Sequence, residues 1–151
     1  MSGKPRIWCV GNALLGDDAV GCRVAELLLE RGISGVVNCG TTPENYVATL
    51  RKDPPSKLWI VDAADMGLQP GQWRKLSLDA WSAAMDSTHG VPLSLLLAPF
   101  SESISITVLG IQPATLQLGA PLSEAVEKTA RHLADEIART ARLPDTTNRI
   151  F

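Results

Sequence analysis

The sequence predicts an α/β protein: a three-layer sandwich in which a mostly parallel, twisted sheet of about five strands carries helices on both faces. Two observations lead there. Short, nearly continuous apolar runs, "RIWCVG" at 6–11, "GVVNCG" at 35–40 and "KLWIVDAA" at 57–64, alternate with segments of helical periodicity. Strands that are apolar throughout are buried on both faces, and helices between them imply parallel pairing under two helical layers. The chain, 151 residues with 45% hydrophobic and 20% charged side chains, is also long enough to bury a core as one domain over 1–151 without staples.

The elements follow in order. After the first strand, "AVGCRVAELLLERG" places Val20, Val24, Leu27 and Leu28 on one helical face, and Gly32 stops it. "PENYVATLRK" at 43–52 is a helix opening at Pro43, between the second and third strands. "WRKLSL" from Trp73 reads as an edge strand and "DAWSAAM" as a short helix capped by Asp79, with a further helix in "PLSLLLA" from Pro92. "SISITVLGI" at 103–111 is β-branched and apolar, hence a strand. The clearest helix is 123–142, with Val126, Ala130, Leu133, Ala134, Ile137 and Ala141 as its buried stripe and Glu124/Lys128, Glu127/Arg131 and Asp135/Arg139 as i,i+4 pairs outside. The tail from about 144 reads as loose.

Composition excludes several classes. A net charge of −2 with no run of like charge offers no footprint for nucleic acid or for a membrane surface, and no segment has the apolar length of a bilayer span. Cys9, Cys22 and Cys39 form no C-x-x-C and lie among apolar neighbours, so they read as reduced, buried thiols, and the protein as cytoplasmic. There is no G-x-S-x-G, no H-E-x-x-H and no visibly activated cysteine. A hydrolase built on this chain would use water as its nucleophile.

Sheets of this kind carry their sites beyond the carboxyl ends of the strands. The residues there are Asp17 and Asp18 after the first strand, Thr41 to Asn45 after the second, and Asp62 and Asp65 after the third, with His89 in a later loop. The stretch "GNALLGDDAVG" spaces glycines as a phosphate loop does, but carboxylates stand where Lys and Ser/Thr would meet phosphate and magnesium, and they suit a cation instead. Asp17 is expected to cap its own helix; adjacent side chains point apart, which leaves Asp18 for chemistry. Asp62 ends a strand buried on both faces, where an unpaired carboxylate is costly. Asp65 is a loop acid turning with Gly67, and His132 faces solvent. Asp18, Asp62 and His89 together suit either an open divalent-metal site or an acid/base set.

"GNxLLGDDxxG", "GTTPEN", "WIVDAADMGLQPGQ", "STHGVPLS" and "VLGIQP", in this order from Ile7 to the last helix, together resemble the [NiFe]-hydrogenase maturation endopeptidases. The fit is closest to the branch that processes formate-hydrogenlyase-type (hydrogenase 3) large subunits. The resemblance implies an endopeptidase that removes the C-terminal extension of a hydrogenase large-subunit precursor after nickel insertion. It puts the family's three metal-contacting positions on Asp18, Asp62 and His89, the first being glutamate in some relatives. It implies nickel contributed by the precursor, an isolated protein that binds divalent metal weakly, and action as a monomer. "TTPENY" reads first as an ordinary helix start at Pro43 and second as a loop that contacts substrate, with Glu44 as an acid near the metal. Two competing readings use the same sheet: a non-proteolytic nickel-binding or delivery protein, and a small-molecule hydrolase with a pocket lined by Trp59, Trp73 or Trp81, residues expected rather in the core or at its margin.

Overall fold

In the computed structural model the described residues are 3–84, 92–144 and 150. The strands are β1 (Arg6–Val10), β2 (Val36–Gly40), β3 (Lys57–Ala63), β4 (Trp73–Leu76) and β5 (Ser105–Ile111). They form one sheet of order β2-β1-β3-β5-β4, parallel except for β4, which runs antiparallel beside β5. This is the predicted architecture. The edge strand β4 exposes Arg74 and Lys75, charges that discourage a further strand from adding there.

The helices are α1 (Val20–Glu30), α2 (Val47–Lys52), α3 (Leu78–Ala84), α4 (Leu93–Leu97) and α5 (Glu124–Ala141). A 3-10 turn, Gly16–Ala19, leads into α1, and the first turn of the helix predicted from Pro43 is the 3-10 turn Pro43–Tyr46. Alternate residues along each strand feed opposite layers. Ile7, Cys9, Trp59, Val61, Leu109 and Ile111 pack with α1 and the predicted stripe of α5; Trp8, Leu58, Ile60 and Val108 pack with Leu50 of α2, Trp81 of α3 and Leu97 of α4. Trp59 and Trp81 are thus core residues, as expected, and at about 25 cal/mol per Å² such side chains dominate the burial energy of each layer.

Three local expectations change. Ser77, not Asp79, caps α3: its Oγ accepts from the Ala80 amide at 3.1 Å, because Asp79 already lies inside the first turn. On α5, Glu127 does meet Arg131, but Asp135 pairs with Arg31, which caps the end of α1, and Arg139 with Glu136. Of the tail, Pro144 and Ile150 are described, and Ile150 is buried in the α1/α5 layer rather than loose.

Candidate active site

Strand order reverses direction between β1 and β3: the chain leaves β1 outward to β2, then crosses back to β3. That switch point, beyond the carboxyl ends of both strands, is where a doubly wound sheet binds its ligands. Asp18 follows β1 and Asp62 is the penultimate residue of β3.

The loop carrying Asp18 is held close by its glycines. A Cβ on Gly11 would stand 2.1 Å from the Asp18 carbonyl oxygen, and one on Gly21 would stand 2.1 Å from that of Val10. Any side chain at either position would push α1 off the end of β1. The half-buried Asp18 accepts from the Asn12 amide through Oδ2 at 2.9 Å, and the Asn12 side chain accepts in turn from Leu14 N at 2.9 Å.

Asp17 does not cap its helix. Its carboxylate turns away and accepts from the amides of Ala114, Thr115 and Ser123 at 2.8, 3.2 and 2.7 Å and from the Ser123 hydroxyl at 2.8 Å. Fully buried, it clamps the first loop to the segment joining β5 and α5. Burial pushes this carboxyl up, but the donors from Ser123, Ala114 and Thr115 prevail and hold it below its usual range. The expected divergence of the two neighbouring acids is observed; the partner of Asp17 lies about a hundred residues downstream, outside the reach of local capping rules.

Asp62 sits on the strand face shared by Leu58 and Ile60, toward α3. It is 1% exposed. Its Oδ2 accepts from the Trp81 indole N–H at 3.0 Å, while its Oδ1 has no hydrogen-bond partner among the described residues. Burial pushes this carboxyl well above the ordinary range; the Trp81 indole opposes that, the nearby charge of Asp18 reinforces it, and the Ala63 amide opposes it. A buried oxygen without a donor costs about 1–3 kcal/mol, a cost that an arriving cation would relieve.

Around these acids, the Cys22 thiol donates to the Gly11 carbonyl at 3.6 Å. Burial raises its pKa, the Asn38 side chain opposes this, and Asp18 and Asp62 raise it further; Cys39 is pushed up to about 12, chiefly by burial. All three cysteines are free thiols, and these are neutral ones, poor nucleophiles. Asp65 turns with Gly67 as expected, its Oδ1 accepting from that amide at 3.2 Å and from Gln112 Nε2 at 3.1 Å. Glu44, like Thr41, Thr42 and Asn45, is exposed beyond the end of β2, and His132 is exposed on α5.

His89 lies outside the described residues. Among the described residues no three His, Cys, Asp or Glu side chains are grouped to hold a metal ion, so Asp18 and Asp62 form an incomplete, open pair. The residue that sequence reading missed is Trp81. Its signal was available: a tryptophan buried on a helix needs an acceptor for its N–H, and alternation along β3 turns Asp62 toward that layer.

A family model described as hydrogenase maturation protease matches residues 22–140. The chain is 37% identical over 133 residues to the hydrogenase 3 maturation protease of Escherichia coli K12, covering 83% of this chain and 85% of that one. The solution structure of the endopeptidase HycI from Escherichia coli superposes with a TM-score of 0.82 at 29% identity, over 100% of this chain and 97% of that one. The crystal structure of a [NiFe] hydrogenase maturation protease HycI from Thermococcus kodakarensis gives a TM-score of 0.78 at 33% identity, covering 91% of each chain.

Proposed function

Since the chain belongs to the hydrogenase maturation protease family and is a peptidase of that family, we propose that it removes the C-terminal extension of a [NiFe]-hydrogenase large-subunit precursor after nickel insertion. The substrate's own nickel is the recognition element. The observation that carries this reading is Asp62, a buried carboxyl with one oxygen bonded and the other, Oδ1, unmet, beside an acid anchored on the neighbouring loop. Such a pair is poor at keeping a metal and suited to meeting one that arrives already held by another protein.

Asp18, Asp62 and, from the sequence match, His89 contact the nickel and leave coordination positions open. A cation arriving at Asp62 supplies the charge compensation that burial denies its carboxylate. The scissile peptide then lies next to a Lewis acid that polarises its carbonyl or an attacking water. Water is the nucleophile, in keeping with the neutral thiols. The exposed side chains of Thr41, Thr42, Glu44 and Asn45 contact the precursor. The enzyme works as a single copy in the cytoplasm, where its three free cysteines stay reduced; no helix among the described residues is long and apolar enough to cross a membrane.

The test is intact-mass analysis of a purified large-subunit precursor, nickel-loaded and nickel-free, after incubation with the protein. Loss of a C-terminal peptide from the loaded form alone is the expected result. Cleavage of both forms would remove nickel from recognition. Tight nickel binding by the isolated protein, with no cleavage of a competent precursor, would favour a delivery role instead.

A further inference from the structure

Trp81 is 3% exposed and packs in the layer that holds Ile60 and Val108, so the direction of its single N–H is set by the ring's packing. That donor goes to Oδ2 of Asp62 at 3.0 Å and to nothing else described, while Oδ1 of the same carboxylate is buried with no partner among the described residues. For stability alone this is a poor use of a donor. Asp17, equally buried, shows the alternative in the same protein, with donors on both oxygens. We propose that Trp81 is a positioning residue: its indole N–H occupies Oδ2 of Asp62, fixes the carboxylate plane, and presents Oδ1 as the one oxygen through which this acid engages the substrate's metal.

The inference rests on the function proposed above. It makes Asp62 a single-oxygen ligand of fixed orientation, and a donor beside a ligating carboxylate typically changes metal affinity or activity by about 10–100-fold when lost. It also ties the acid to α3, the helix after which the chain runs on to His89.

The experiment compares the whole protein with Trp81→Phe, which keeps an aromatic ring in the core and deletes the donor. Single-turnover cleavage of nickel-loaded precursor separates the saturating rate from the half-saturating concentration, and calorimetry reads binding of nickel-free precursor. The expected result is a saturating rate lowered by roughly 10-fold or more, with nickel-free precursor bound within about 2-fold of wild type. If Trp81→Phe does not fold, 3-benzothienylalanine at position 81 preserves the ring shape with sulfur in place of N–H. A folded variant that cleaves at the wild-type rate overturns the proposal, as does a loss matched by equally weakened binding of nickel-free precursor, which marks a packing role. If the wild-type protein itself cleaves nothing, it is the proposed function that fails, and this assignment with it; the wild-type control separates the two failures.

Discussion

Asp17 and Asp62 are both buried at the carboxyl edge of the same sheet, 0% and 1% exposed, yet their surroundings are opposite. Asp17 draws hydrogen bonds to both oxygens from three amides and a hydroxyl, and its pKa falls. Among the described residues Asp62 draws one indole N–H and keeps an unmet oxygen, and its pKa rises well above the ordinary range. Burial does not distinguish a structural acid from a reactive one; the number of donors around it does. A saturated carboxylate has no lone pair left to offer, whereas an undersupplied one is held at a cost in stability that a ligand can relieve.

The largest expected effect separates the two acids by activity. Asp62→Asn is expected to lower precursor cleavage by at least about 10³-fold, roughly 4 kcal/mol of transition-state stabilisation, measured by mass spectrometry of the product. The same variant is expected to be no less stable than wild type and to melt increasingly above it as pH rises. The sign follows from the raised carboxyl: the folded state favours the protonated form, so ionisation costs stability above the ordinary Asp range, and Asn escapes that cost. A lower melting temperature for Asp62→Asn at pH 8 would break the contrast.

Asp17→Ala strands the amides of Ala114, Thr115 and Ser123 and is expected to cost about 3 kcal/mol of stability in a denaturant melt. Retained stability would show that the clamp between the first loop and the β5–α5 segment is dispensable.

Asp18→Asn should be smaller, a fall in cleavage of roughly 10–50-fold, with stability changed by less than about 0.5 kcal/mol because the amide oxygen can still accept from Asn12.

The smallest effect is a pH dependence. With its pKa lowered on folding, Asp17 contributes stability above the unfolded value, and that contribution disappears as pH falls through the folded one. The stability gap between wild type and Asp17→Asn is therefore expected to narrow as pH falls below the ordinary Asp range. Melts at pH 2.5 and 6 with an unchanged gap would contradict the assignment.

Much of this fold was legible in local pattern. Apolar runs of strand length, the α5 stripe and the closing glycines read directly as elements, and the rule that sites follow parallel strands placed Asp17, Asp18, Asp62 and Asp65 at the sheet's carboxyl edge. Those signals are short-range: periodicity needs a dozen residues, and a carboxylate ending a buried strand is conspicuous wherever it occurs. Illegible were the clamp made by Asp17 and the donor supplied by Trp81, together with the α1–α5 pairing of Arg31 with Asp135 and the burial of Ile150. By itself the sequence determined the layered α/β class and which acids stand at the sheet's carboxyl edge. Only the tertiary structure decided which buried aspartate is saturated and which is left open, because their partners come from 97 to 106 residues away for Asp17 and from a neighbouring helix for Asp62, and hydrogen-bond supply is a property of packing, not of local sequence.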